Sequence, residues 1–548
     1  MRKITVAIAA VFLCLAGFVI LGLNIDTDWA DQLDLTLSST DGSACSALTD
    51  GAYYTENTEY FDPGTQITIS ADEAIDSLYI MWAYEPEEWT LKIGDNEYSC
   101  GQNGFLHEFV EIPEAEKGTR SVTIEITEER ETIAEIYAFS EGELPDFVQK
   151  WEASYDKADI LFLSTHADDE VLFFGTVIAQ YVDQGDVRIQ VAYYTDLSQS
   201  EPYRQNEQLN GLWAMGIRHY PQFGRFYDYY SESYDEAAGQ YSYDEGLDYV
   251  VEIIRKYKPQ VVVGQDIVNG EYGHGAHIWT AKLIADAIEI SADPQQYAES
   301  AEAYGTWEVL KTYFHLYPEN QIEFNARVPL QAFDGRTALE VAEAGYLQHQ
   351  SQQWCWFYVS DGYDDYGNED LSNPFGVNLS SSRYGLYDSK VGADLTGSDM
   401  LDNITVYALQ EAEEQSAQEP DNDQSSETAA GDQTDGEMTQ TELQSASSVL
   451  DSKNETAIPG GQHTVLIVIL IIIAVIIAAV IVLILINNAA KKKEAERRRR
   501  AKMRAMDQMR KAQPYDRSVR SRQQSRQRPV QNMQSRQRNR EDARDRYR

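Results

Sequence analysis

The chain has 548 residues, with 44 Lys and Arg against 90 Asp and Glu and a formal charge of −46. That length exceeds one simple core, so two or three folded units are expected. About half of the basic residues follow residue 490, which leaves everything before it more acidic still and argues against nucleic acid as its partner.

In chain order, residues 1–26 join the basic start Arg2-Lys3 to an apolar run from Ile4 to Leu23 and read as a signal peptide or signal anchor. Residues 30–146 read as β. The segments 66–70, 78–82, 89–93, 121–126 and 133–139 are short and partly alternating, with Gly, Pro and Asp turns between them, which predicts a β-sandwich. Cys45 and Cys100 fall here and are open to pairing as a disulfide, while Cys14 and Cys355 lie elsewhere. Four scattered cysteines form neither a disulfide scaffold nor a Cys-x-x-Cys metal site. The Leu48-Thr-Asp-Gly51 turn, the strand Leu78 to Trp82 and the closing Ile136-Tyr-Ala-Phe139 before Gly142-Glu-Leu-Pro145 resemble discoidin-like, galactose-binding-like sandwich domains.

From residue 157 to about 410 the pattern becomes strands separated by helices. Apolar strands at 159–164, 187–194 and 260–264 alternate with helical segments at 171–182, 203–215, 243–258 and 277–290. This predicts an α/β domain with a Rossmann-like, mostly parallel sheet, whose ligands bind beyond the carboxyl ends of the strands. Residues 412–462 are rich in Glu, Gln, Ser, Asp and Thr, too polar for a core, and read as a disordered acidic linker. Residues 464–486 are apolar and uncharged, long enough to predict a C-terminal transmembrane helix. The basic residues 487–548 then read as a cytoplasmic tail, which would place the folded domains before it outside the cell membrane. Attraction to anionic lipids is the plainer reading of that tail, a nucleic-acid or protein-binding arm the sharper one.

The chemistry begins at Ser164-Thr-His-Ala-Asp-Asp-Glu170, directly after an apolar strand. A histidine and three acids crowded on one loop repel unless a cation or proton separates them; His166 and Asp169 suit a divalent metal, with a neighbouring acid free to act on water. The competing reading is an acid cluster capping the following helix. The second element, Asn269-Gly-Glu-Tyr-Gly-His-Gly-Ala-His277, also follows an apolar strand and brings two of only eight histidines to the same sheet edge. His166, Asp169 and His277 then make a three-ligand set with an open position, as catalytic zinc requires. Residues 227–243 are crowded with tyrosines, which suits either stacking on sugar faces or a loop packing its own rings.

At these two histidine elements the chain resembles the LmbE-like (PIG-L) zinc N-deacetylases, whose hallmarks are Ala-His-Pro-Asp-Asp-Glu after a strand and a later Gly-His-Pro-Asp-His. Here they stand as Thr-His-Ala-Asp-Asp-Glu and Gly-His-Gly-Ala-His, and Arg204-Gln-Asn-Glu207 and His349-Gln-Ser-Gln352 resemble two further family stretches. The resemblance implies that His166, Asp169 and His277 bind zinc, with iron(II) as the alternative, and that Asp168 is the general base. It implies that His274 stabilises the oxyanion or protonates the amine, and that Arg204 contacts substrate. The departures are Ala167 for proline and Gly275-Ala276 for Pro-Asp; the second removes the carboxylate beside His274. The function implied is removal of N-acetyl groups from an extracytoplasmic amino-sugar glycan or glycoconjugate by a membrane-anchored enzyme. The alternatives are a non-catalytic carbohydrate-binding surface protein and an amidase acting on another small N-acyl conjugate.

Overall fold

Short strands with one apolar face build the first part of the molecule. The computed structural model describes residues 29–53, 59–353, 357–364, 366–370, 379–394 and 397–418, all within a unit spanning Met1–Ser426; a second unit, Glu427–Arg548, lies outside the described residues. The N-terminal strands are β1 (Leu35–Ser39), β2 (Glu59–Phe61), β3 (Gln66–Ala71), β4 (Ser77–Trp82), β5 (Trp89–Ile93), β6 (Asn96–Cys100), β7 (His107–Glu111), β8 (Ser121–Ile126) and β9 (Glu131–Phe139). They form two antiparallel sheets of order β1-β3-β8-β5-β6 and β2-β9-β4-β7. Ile67, Ile69, Ile80, Trp82, Trp89, Leu91, Ile124 and Ile136 meet in one core between them, so this part is β-rich as expected. Cys45 and Cys100, however, are free buried thiols and not a disulfide. The turn carrying Cys45 packs on β1 and β9, whereas Cys100 ends β6 at the opposite edge of the five-stranded sheet. Four strand spacings are roughly 19 Å, far beyond the ~7 Å Cα separation a disulfide bridges.

The second part continues with β10 (Ile160–Ser164), β11 (Ile189–Tyr193), β12 (Thr195–Asp196), β13 (Phe226–Tyr227), β14 (Val261–Gly264), β15 (Lys311–His315), β16 (Gln321–Glu323) and β17 (Arg383–Ser389). Its helices include α1 (Asp169–Leu172), α2 (Gly175–Gln184), α3 (Tyr203–Ala214), α4 (Tyr234–Ala238), α5 (Tyr243–Tyr257) and α6 (Gly275–Ile290). The central sheet has the order β11-β10-β14-β15-β17-β16. Successive crossovers from β10 pass to opposite sides, so the carboxyl ends of β10 and β14 flank a topological switch point, where open α/β sheets bind ligands.

The expected fold class needs two corrections. The parallel ladder covers only β11, β10, β14 and β15, and the pairing across the described sheets is mostly antiparallel. The ladder stops because β17 enters against β15 and β16 from the opposite direction, an arrangement that needs no helical crossover. The transmembrane helix and the cell-membrane location are not upheld either: no helix among the described residues is long and apolar enough to cross a membrane. The apolar helix α6 has 16 residues, about 24 Å at 1.5 Å per residue, and it carries Lys282, Asp286 and Glu289. The segment 464–486, like the leader at 1–26, most of the linker and the basic tail, lies outside the described residues.

One buried histidine ties the two parts together. His107 of β7 sits between the Tyr79 hydroxyl and Oδ1 of Asn206 on α3, 2.7 Å from each. Burial pulls this imidazole down to about 4, so it is neutral and bridges as one donor and one acceptor. Next to it Leu106 N–H donates to the Tyr220 hydroxyl at 3.0 Å, and Phe105 stacks on Tyr220.

Candidate metal centre at the carboxyl edge of the central sheet

The loop after β10 turns sharply into α1. Asp168 has φ 93° and ψ −25°, a left-handed conformation that costs a non-glycine residue of order 1–3 kcal/mol and persists only where neighbours over-determine it. Here Asp168 N–H donates to Glu170 Oε2 at 2.9 Å, and its carbonyl accepts from Val171 and Leu172. The kink turns Asp169 back over the loop, so that its Oδ2 lies 2.9 Å from both the backbone N and Nδ1 of His166.

The loop after β14 brings the second element. His277, in the first turn of α6, is fully buried, and its Nδ1 lies 2.7 Å from Glu271 Oε2. With Nδ1 engaged there, Nε2 is the ring atom left for a metal, 3.1 Å from His166 Nδ1 and 3.2 Å from Asp169 Oδ2. Two imidazole nitrogens and a carboxylate oxygen thus form a triangle with edges of 2.9 to 3.2 Å. Ligand atoms about 2.1 Å from a tetrahedral metal are roughly 3.4 Å apart, so the triangle is close to the size zinc needs, and its N,N,O donors suit zinc or iron(II).

Electrostatics point the same way. Burial opposes ionisation of Asp169, yet His277 and His166 hold it well below the usual carboxylate range. Glu271 stays at about 2 despite burial because His277 and His315 face it. Those two acids in turn push the buried His277 up to about 10. The pocket is built to hold a positive charge on this triangle. Asp168 stands beside it and outside it: burial pushes its carboxyl up to about 7, against the pull of Arg204. Arg204 on α3 donates from Nη2 to the Ala167 carbonyl at 2.6 Å and lies 3.7 Å from Asp168 Oδ2.

His274 caps α6. Its Nδ1 accepts from Ala276 N–H at 3.2 Å, so a backbone donor sets the tautomer where the missing carboxylate would have stood. Burial, with His166 and His277 nearby, pulls the ring far below its ordinary value, which leaves a neutral imidazole whose Nε2 carries the proton. Donor atoms of His166, His274 and His277 also fall within 4.8 Å of one another, so a three-histidine set competes with the set containing Asp169. The two sets predict different losses. With His274 outside the set, His274→Ala keeps one equivalent of metal by elemental analysis and His277→Ala loses it; loss in both would place His274 among the ligands.

All six residues singled out in the sequence therefore meet in one cluster. Sequence reasoning passed over Glu271, although it lies inside the second histidine element. It also passed over His315, which ends β15 and joins Glu271 Oε1 to the Ser380 carbonyl at 2.6 and 2.8 Å and has no motif around it. Asp228, 3.5 Å from His166 Nε2, was hidden among the tyrosines. The two minor stretches meet each other: Ser351 N–H and Oγ donate to Glu207 at 2.7 and 2.6 Å, and His349 Nε2 lies 2.9 Å from Glu170 Oε1.

Residues 161–288 match the PIG-L family, described as GlcNAc-PI de-N-acetylase. Over 188 residues the chain is 28% identical to the 1D-myo-inositol 2-acetamido-2-deoxy-alpha-D-glucopyranoside deacetylase of Geodermatophilus obscurus, covering 29% of this chain and 62% of that one. The enzyme of that name numbered 1 in Catenulispora acidiphila is 26% identical over 211 residues, covering 34% and 64%. The match therefore spans less than two thirds of these curated relatives. The N,N'-diacetylchitobiose deacetylase of Pyrococcus horikoshii is similar at 16% identity and a TM-score of 0.28, over 36% of this chain and 71% of that chain.

Proposed function

We propose that the PIG-L-type domain at residues 161–288 serves a divalent-metal-dependent deacetylase that hydrolyses the N-acetyl group of an amino sugar. The observation that carries this reading is the triangle of His166 Nδ1, Asp169 Oδ2 and His277 Nε2 with a second, strained carboxylate, Asp168, beside it. A metal held only for structure gives no use to a second buried carboxylate outside the ligand triangle.

In this reading His166, Asp169 and His277 hold zinc or iron(II), which when bound would polarise the acetyl carbonyl and lower the pKa of water. Asp168 takes the proton from water as it adds to the acetyl carbon, then delivers it to the sugar nitrogen as the C–N bond breaks, releasing acetate and a free amine. His274, as a neutral Nε2–H donor, faces the charge that develops on the carbonyl oxygen. Arg204 steadies Asp168 from the far side and contacts the substrate. The N-acetylated amino sugars in the relatives' names support the substrate class. We read the paired N-terminal sheets as a galactose-binding-like module.

The test is acetate release by the intact chain from N-acetylglucosamine, its oligosaccharides and N-acetylglucosaminyl-inositol. A chelator should abolish release and added zinc or iron(II) should restore it. A metal-loaded chain that frees acetate from none of them would overturn the reading.

A further inference from the structure

We propose that residues 226–233 form a second sugar subsite on the rim of the metal pocket, built for an uncharged pyranose next to the acetylated one in an oligosaccharide chain. This rests on the amino-sugar reading above and extends it from a single sugar to a neutral chain.

The segment is anchored at both ends. Phe226 stacks on Tyr194, 4.5 Å between ring centres, and the Tyr241 hydroxyl accepts from Tyr229 N–H and donates to the Tyr227 carbonyl at 3.2 and 3.1 Å. At the other end Gly275 N–H donates to the Ser231 carbonyl at 2.9 Å. A Cβ at position 275 would overlap the Ser233 carbonyl, so the loop can lie across the histidine element only because glycine stands there. This is the position at which the chain departs from the proline of the motif it resembles, and the departure admits the loop.

What the loop presents is specific. Tyr227, Tyr229 and Tyr230 are 50%, 41% and 67% exposed, although rings of this size are usually buried. Tyr230 stands edge-on to His274 with centroids 5.0 Å apart, and Tyr227 and Tyr229 lie 4.8 Å from each other. Asp228, between them in sequence, turns inward to His166. Exposed rings, one of them against His274, beside a carboxylate able to accept from hydroxyls, match a pyranose with its C–H face and its hydroxyl edge. The chain has no Lys or Arg from Phe226 to Ile254, and Glu232, Asp235 and Glu236 are exposed on this stretch, so phosphate- or uronate-bearing chains are repelled.

The experiment compares equilibrium binding of N-acetylglucosamine, tetra-N-acetylchitotetraose and the uronate-bearing hyaluronan tetrasaccharide to the metal-loaded intact chain carrying Asp168→Asn, so that nothing turns over. The neutral tetrasaccharide should bind at least tenfold tighter than the monosaccharide and than hyaluronan. Tyr227→Ala/Tyr229→Ala should erase the gain with chain length, while Tyr227→Phe/Tyr229→Phe, which keeps the ring faces, should retain it. Absence of the gain in the parent, its survival in the alanine pair, its loss in the phenylalanine pair, or equally tight hyaluronan would overturn the subsite. Acetate release by the unsubstituted chain, measured in parallel, separates the two ideas. Release without a length gain removes the subsite alone; a length gain without release removes the deacetylase alone.

Discussion

Asp168→Asn should lower kcat for acetate release by about 10² to 10⁴, the usual worth of a positioned general base, or about 3 to 5 kcal/mol of barrier. The substitution isolates one property. Asparagine tolerates the left-handed backbone at φ 93° better than other side chains, so the turn that aims Asp169 survives. Its amide has nearly the volume of the carboxylate and can still meet Arg204, but it cannot take a proton from water. Metal content by elemental analysis should stay at one equivalent, because Asp168 is outside the triangle of His166, Asp169 and His277. A variant that keeps more than a tenth of the parent rate, or that loses its metal, would show that the role assigned to Asp168 is wrong.

Glu271→Gln should weaken metal binding 10- to 100-fold in competition with a chromophoric chelator, the usual worth of a residue that orients a ligating histidine. Glu271 accepts at both oxygens: Oε2 faces His277 Nδ1 at 2.7 Å, and Oε1 faces His315 Nδ1 at 2.6 Å and Asp266 N–H at 3.0 Å. Glutamine offers one acceptor and one donor, so it cannot accept from both imidazoles as the carboxylate does. If its amide NH₂ turns to His277, the ring proton moves to Nε2, and the lone pair that closes the triangle is lost. If it turns to His315, the NH₂ stands where Oε1 accepted from Asp266 N–H, donor against donor. Affinity within threefold of the parent would show that Glu271 leaves the histidine's orientation unaffected.

The legible parts of this molecule were those whose signal is local. The strands at β10 and β14 and the histidine elements after them are contiguous in sequence, so apolar runs and crowded donors placed the pocket. Contacts across long separations were illegible: His315 reaches Glu271 over 44 residues, and Ser351 reaches Glu207 over 144. In the N-terminal sheets all five interior strands were read from the sequence, and β1, β2, β6 and β7 were missed. Those four are the edge strands of the two sheets. An edge strand has one free side and keeps little of the apolar alternation that marks an interior one. The tyrosine-rich stretch is divided in a way its composition does not show, with Tyr241 packed inside and Tyr227, Tyr229 and Tyr230 exposed.

The His107 bridge has a consequence for how such a chain can diversify. Tyr79, His107 and Asn206 form one hydrogen-bonded line across the seam, and Asn206 shares its helix with Arg204. Recombination that swapped the N-terminal part for another of similar outline would strand a polar side chain in the dry seam, at roughly 1–3 kcal/mol, and would do so two residues from Arg204. The β-rich part and the α/β part are matched at this seam, so exchange of either has to keep the hydrogen-bonded line, a constraint that does not reach the exposed Tyr227, Tyr229 and Tyr230.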